Sequence, residues 1–124
     1  MAYDLIVEEE GFFIVQTGDV SFDEINEIND QLLAHEKWDT HRYQIWSYLD
    51  AWAIEGEAKD SRVISKIDNM SLKRTHLEPI KIAFLSRNAK TNEVLNAYID
   101  SVDPKQVQAR IFREEGDARG WLGG

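Results

Sequence analysis

The chain has 124 residues, of which 43% are hydrophobic and 30% are charged, and its formal net charge is −9. This composition predicts one soluble domain spanning 1–124, and the negative charge argues against nucleic acid and anionic membrane surfaces as partners. Cysteine is absent, which excludes disulfide and thiolate chemistry.

The first predicted elements are two strands and a helix. Segments 3–7 and 12–17 are rich in β-branched and aromatic residues, and Gly11 between them is suited to a hairpin turn. Ser21, with Glu24 three residues later, forms a capping-box pattern ahead of apolar residues at helical spacing, which predicts helix one. No basic residues precede the N-terminal apolar run, so a signal peptide is not expected and the cytoplasm is the expected location.

The rest of the chain alternates strands and helices. This alternation predicts an α/β fold, with a five-stranded, mostly parallel sheet, an antiparallel N-terminal strand and about four helices. We expect a loop at 51–57 before helix two, and Thr91 as the N-cap of helix three. Helix two is expected to bury an apolar stripe made of Val63, Ile64, Ile67 and Met70. The predicted strands are 43–49, 80–86 and 107–113, and the predicted helices are 57–77 and 91–103. The segment 114–122 is predicted as a short terminal helix or turn.

The order and spacing of these elements resemble a known family. The segment "GDVSFDEINEINDQLLAHEKWD", the strand that ends in Leu49-Asp50, the strand "IKIAFLS" and the closing "VQARIFREEGDARGWL" together resemble the SpoIIAA-like proteins over nearly the whole chain. These are small bacterial domains related in fold to the STAS domain of anti-sigma-factor antagonists. The resemblance implies a β-α superhelix fold. For the antagonists it also implies binding to an anti-sigma kinase, controlled by phosphorylation of a serine at the start of the helix after the third strand.

Ser61 is the residue that the resemblance places near this switch serine. It follows Asp60 and lies ahead of the apolar stripe of helix two. In the antagonists a small residue and a glycine come next, whereas here Arg62 and Val63 do. A phosphate on Ser61 would lie near the helix N-terminus and add about two negative charges to a docking surface. The alternative is that Asp60 or Ser61 accepts a backbone N–H and caps the helix, as short polar residues at helix starts usually do.

Helix two is basic although the chain is acidic. Five basic and three acidic residues give 57–76 a net charge of +2, so the remaining residues carry −11. A surface that includes Arg62 and Lys66 could therefore receive an anionic ligand, an acidic partner or the acidic face of a second copy. The alternative is a solvated face whose charges only offset acidic neighbours.

A second candidate surface is the edge where the predicted parallel strands end, because ligands of such sheets favour this edge. An anion could bind there to helix N–H groups and two cations, or Trp52 could line a pocket for an apolar ligand. The alternative is a capped turn with packed aromatic residues. The rim residues are Asp50 and Trp52 after one strand and Ser86, Arg87, Lys90 and Thr91 after the next.

No residue pattern predicts catalysis, a metal or a cofactor. His35 and His41 match no metal-binding spacing and are expected at the surface, and the chain has neither a glycine-rich phosphate loop nor a nucleophile elbow. We therefore expect no enzyme. The leading hypothesis is a non-catalytic regulatory or protein-interaction module that binds a protein partner or itself. The alternative is a carrier or sensor of a small apolar or anionic molecule.

Overall fold

A five-stranded sheet forms the centre of the computed structural model, which describes residues 2–123. The strand order is β1-β2-β3-β4-β5; β1 runs antiparallel to β2, and the other neighbouring pairs are parallel. This confirms the predicted α/β fold. The strands are β1 (Ala2–Val7), β2 (Gly11–Ser21), β3 (Tyr43–Glu55), β4 (Ile80–Leu85) and β5 (Val107–Phe112), and the helices are α1 (Phe22–Ala34), α2 (Ala58–Thr75), α3 (Ala89–Ser101) and α4 (Glu115–Gly123).

Helices cover both faces of the sheet. The larger core lies under α1, α2 and α3, where Ile28 and Leu72 are fully buried together with Phe12 of the sheet. The smaller core lies between α4 and the opposite face, where Ala118 packs with residues such as Leu85. Because the central strands are covered on both faces, their sequences are almost continuously apolar instead of alternating.

Strand β3 is longer than the sequence predicted. It continues to Glu55 through most of the segment predicted as a loop. The reason is that β2 is also long and pairs with β3 up to its last residue, where Ser21 lies opposite Glu55. Two register irregularities interrupt this pairing. Ile54 is buried in the larger core, whereas Trp52 is 69% exposed. The β2–β3 ribbon therefore projects past the end of β4.

Helix α3 begins earlier than predicted. Its N-cap is Asn88, whose Oδ1 accepts the backbone N–H groups of Lys90 at 2.9 Å and Thr91 at 3.1 Å. The prediction of Thr91 as the cap is therefore wrong. Thr91 lies inside the first turn and is buried, and its Oγ1 accepts the backbone N–H of Ile54 at 3.3 Å. This bond ties α3 to the projecting part of β3.

Gly11 is required for close packing and not for the unusual turn geometry that glycine permits. It is the first residue of β2, and its φ is not positive. A Cβ atom at this position would lie 2.5 Å from the carbonyl oxygen of Tyr43 on the neighbouring strand. Any larger residue would therefore push β2 and β3 apart at their start.

Glu8 and Arg119 hold α4 against the N-terminal hairpin. The two terminal guanidinium nitrogens of Arg119 donate to the two carboxylate oxygens of Glu8 at 3.0 and 2.9 Å, and the Tyr43 hydroxyl also donates to Glu8. The hydrogen bonds from Arg119 lower the pKa of Glu8. Because α4 is rich in glycine, a poor helix former, its stability depends on such contacts.

We expect Arg119→Ala to lower the free energy of unfolding by about 1 kcal/mol at neutral pH, since the pair is bidentate but partly exposed. The lowered pKa of Glu8 means that this stabilisation is present above the ordinary glutamate value of 4.5 and is lost as the pH falls below it. Urea unfolding at neutral and acidic pH measures the difference. The control is Arg113→Ala, which removes an exposed cation without a side-chain ion pair among residues 2–123; an equal loss in this variant would contradict the assignment.

Candidate functional site

Ser61 lies inside α2 and not at its tip. The helix begins at Ala58 after the N-cap Glu57, whose backbone N–H donates to Asp60 Oδ2 at 2.9 Å. Ser61 is 2% exposed, and its hydroxyl donates to the backbone carbonyl of Val94 on α3 at 2.9 Å. Asp60 thus takes part in a capping box, whereas Ser61 joins two helices. In this conformation the Ser61 hydroxyl is not accessible to a modifying enzyme.

The outward side of α2 carries a row of apolar residues, which contradicts the predicted orientation of the helix. Val63, Ile67 and Met70 are 57%, 41% and 60% exposed, although their spacing predicted a place in the core. Only Ile64 of the predicted stripe is buried. The inward side is largely polar instead, and the buried residues of α2 are Ser61, Ile64, Ser65, Asp68 and Leu72. An exposed apolar row on a helix with a polar inward side suggests that the row has another partner.

Basic side chains flank this apolar row. Lys59 pairs with Glu57 at 3.5 Å in an exposed contact. The other cations beside the apolar row are Arg62, Lys66, Lys73 and Arg74. They form no ion pair or side-chain hydrogen bond with residues 2–123, so their charges are available to a partner. We call this surface the α2 face; it consists of Val63, Ile67 and Met70 with the exposed cations Lys59, Arg62, Lys66, Lys73 and Arg74.

Acidic helices lie on both sides of the α2 face, since α2 packs against both α1 and α3. The exposed residues of α1 include Asp23, Glu27 and Asp30, and those of α3 include Glu93 and Asp100. The α2 face is therefore a basic surface about as wide as one helix, which limits the shape of a surface that can complement it.

Beneath the α2 face, one carboxyl group joins three helices. Asp68 of α2 is 4% exposed; the Asn29 side-chain amide of α1 donates to its Oδ1 at 3.2 Å, and the Tyr98 hydroxyl of α3 donates to its Oδ2 at 2.7 Å. Burial raises the pKa of Asp68 to about 6, although both hydrogen bonds favour the charged form. This cluster was not predicted from the sequence. The recurrence of Ser61, Ser65 and Asp68 at helical spacing was the signal of a buried polar side.

A small cavity lies beside this cluster, between the sheet and the three helices. Its volume is about 40 Å³, and it is lined mainly by apolar and aromatic residues such as Trp46, Ile54 and Phe84. Water needs about 10–15 Å³ of such volume per molecule, and an engineered cavity that binds benzene has about 150 Å³. The cavity therefore has room for a few water molecules, and an organic ligand would require the helices to move apart.

Most of the predicted rim residues make local bonds. Ser86 is buried, and its hydroxyl accepts the backbone N–H of Asn88 at 3.3 Å. Arg87 donates to the carbonyl of Arg113 at 3.0 Å and pairs with Glu114 at 3.1 Å. The N–H groups expected to bind an anion at the start of α3 are already occupied by the helix cap. The exposed rim residues are Asp50, Trp52, Arg87 and Lys90.

His41, which was expected at the surface, is buried and neutral. Its Nδ1 lies 2.6 Å from the carbonyl oxygen of Trp38, and its Nε2 lies 3.1 Å from Nε2 of Gln44. The Trp46 indole, which can only donate, bonds to Gln44 Oε1 at 2.9 Å and fixes the orientation of that amide. Gln44 therefore donates to Nε2 of His41, and Nδ1 of His41 donates to Trp38. Burial lowers the pKa of His41 to about 4.

The described residues contain neither a candidate metal centre nor a membrane span. Within 2–123, no group of three His, Asp or Glu side chains is placed to hold a metal ion. No helix in the same range is both long enough and apolar enough to cross a membrane.

Comparison with known proteins identifies the fold. No family model matches the chain, and no curated protein sequence matches it. Among solved structures, the chain is similar to the anti-sigma factor antagonist SpoIIAA in its unphosphorylated form, with 13% identity, a TM-score of 0.62 and coverage of 99% of each chain. The chain therefore has a SpoIIAA-like α/β fold, which confirms the fold implied by the sequence resemblance. At this identity the likeness concerns the fold alone.

Proposed function

We propose that this protein is a non-catalytic regulatory module that binds another protein through the α2 face. The observation that carries the proposal is the exposure of Val63, Ile67 and Met70 on a helix whose inward side is polar. Contiguous exposed apolar residues with a polar rim are typical of protein-interaction sites. The unpaired cations around them add charge recognition, which raises association rates and selects partners.

The fold provides a second line of support. SpoIIAA, whose structure is similar, is described as an antagonist of an anti-sigma factor, which is a function directed at another protein. One fold hosts many functions, so the α2 face and not the likeness defines the proposed mode of binding. Phosphorylation of Ser61 is not part of the proposal, because its hydroxyl is buried and bonded to Val94.

The proposed partner is a different protein and not a second copy of this chain. In a two-fold symmetric dimer the same patch meets itself, so two α2 faces would bring cations such as Arg62 and Lys66 against each other. The acidic helix α1 offers the opposite charge, but it has no exposed large apolar side chain that could pack against Ile67.

The residues predicted to bind a ligand give little support to the alternative function, a small-molecule carrier or sensor. The cavity of about 40 Å³ is too small for an organic molecule as it stands. The exposed Trp52 lies on the projecting β2–β3 ribbon and does not line this cavity.

Site-specific photo-crosslinking in cells of the source organism tests the proposal. A photoreactive residue in place of Ile67 should yield an adduct with a discrete protein mass. Val7 on β1 is the matched control position, since its exposure of 42% is close to the 41% of Ile67. The adduct should disappear when Lys66→Glu is added to the same chain. Equal labelling from both positions, or no adduct from positions 63, 67 and 70, would refute the proposal.

A further inference from the structure

We infer that the partner contributes an acidic amphipathic helix that packs lengthwise against α2. This inference rests on the proposed function and names the chemistry of the partner. Two observations carry it: the spacing of the exposed apolar residues on α2, and the spacing of the lysines beside them.

The exposed apolar residues of α2 are spaced like one seam of a coiled coil. Val63 and Ile67 are four residues apart, and Ile67 and Met70 are three apart. This is the d-a-d spacing of a heptad pattern, in which a and d side chains pack into a facing helix. At 1.5 Å per residue the row covers about 10 Å of the helix axis, roughly two turns. A facing helix is the element whose side-chain spacing matches such a row.

Lysines recur at intervals of seven residues beside this seam. With Val63 and Met70 at d, the exposed residues Lys59, Lys66 and Lys73 all occupy the g position. Charges at e and g pair with opposite charges on the facing helix and determine which partner binds. A uniform row of lysines therefore selects a helix that carries carboxylates next to its apolar seam.

The surroundings of α2 favour a single helix over a flat surface. The e-position residues of α2 are Ile64, which is buried, and Ser71, which is partly buried, so the facing helix must approach from the lysine side. A flat anionic membrane would also bring headgroups against the carboxylates of α1 and α3, such as Asp30 and Glu93. A single helix, in contrast, contacts only the α2 face, which lies between α1 and α3.

Two synthetic three-heptad peptides test the inference. Both carry Leu at a and d; one carries Glu at e and g, and the other carries Lys there, so that like charges keep each peptide from pairing with itself. We expect the Glu peptide to bind about tenfold more tightly than the Lys peptide, the effect of about three exposed ion pairs. The preference should shrink between about 50 and about 500 mM NaCl, because salt screens exposed charges. Titration of the isotope-labelled protein by NMR should show shifts concentrated on α2.

Charge reversal provides the control. A variant that combines Lys59→Glu, Lys66→Glu and Lys73→Glu should prefer the Lys peptide, whereas Lys90→Glu on α3 should leave the preference unchanged. Equal affinity for both peptides, or shifts away from α2, would overturn the inference. Binding to mixed phosphatidylglycerol and phosphatidylcholine vesicles that the triple variant abolishes would also overturn it, in favour of a membrane. A crosslink at position 67 without a preference for the Glu peptide would refute this inference and leave the proposed function standing.

Discussion

Replacing Asp68 by asparagine should raise the free energy of unfolding by about 3 kcal/mol near pH 7 and leave it almost unchanged near pH 4. The pKa of Asp68 is about 6 in the folded protein against an ordinary value of 3.8, so the folded state holds the proton more tightly than the unfolded state. The resulting stabilisation is complete below an ordinary pKa of 3.8 and is lost as the pH rises through about 6. Asparagine cannot ionise, and it can still accept the hydrogen bond from Asn29, so it avoids this loss.

Urea unfolding of Asp68→Asn and the parent protein across this pH range provides the measurement. The control is Asp30→Asn, which removes the same charge from an exposed position on α1. We expect the control to change stability by no more than about 0.5 kcal/mol at either pH. A variant that is less stable than the parent near pH 7 would show that Asp68 is retained for its two hydrogen bonds and is not strained by its charge.

Replacing His41 by alanine should lower the free energy of unfolding by about 3 kcal/mol near pH 7, since the change leaves a cavity where a fully packed ring was and deletes its hydrogen bonds. The difference should shrink to almost zero near pH 4. The pKa of His41 is about 4 against an ordinary value of 6.5, so its stabilisation is complete above pH 6.5 and is lost as the pH falls through about 4. The lowering of the His41 pKa from 6.5 to about 4 corresponds to about 3 kcal/mol of folding stability.

His35→Ala is the matched control, because His35 is a half-buried histidine that packs against the same Phe12 ring at 5.2 Å. Near pH 7 the His35→Ala variant should lose less stability than His41→Ala, because the His35 ring is only partly buried. If His41→Ala does not fold near pH 7, the same change can be measured in the more stable Asp68→Asn background. A loss of equal size at both pH values would show that His41 is not held neutral by burial.

These two buried groups affect stability in opposite directions over the same pH range. Acid favours folding through Asp68 and disfavours it through His41, by about 3 kcal/mol in each case. Their contributions should offset each other in the parent protein, whose stability should vary little between about pH 4 and about pH 6.5. The Asp68→Asn variant should lose stability as the pH falls, because His41 remains. The His41→Ala variant should gain stability as the pH falls, because Asp68 remains.

The local signals in the sequence were sufficient for the fold and for part of the capping. Ser21 caps α1 as predicted, since its Oγ accepts the backbone N–H of Glu24 at 3.4 Å. The Glu24 side chain does not complete the predicted box. It is buried instead and accepts the amide of Gln16 at 2.9 Å, a partner on β2 that the capping pattern alone does not identify. Likewise, the extension of β3 depends on the length of β2, which a reading of β3 by itself does not include.

The sequence by itself determined the order of strands and helices, because the length and period of apolar runs are local properties that suffice to distinguish a covered strand from an amphipathic helix. Only the tertiary structure decided which side of α2 faces inward. Periodicity shows that a helix has two different sides, but the polar side of α2 is buried because Asp68 finds Asn29 on α1 and Tyr98 on α3, and Ser61 finds Val94. These partners lie 30 or more residues away in the chain, so the exposed apolar row that forms the proposed binding surface follows from long-range hydrogen bonding and not from local pattern.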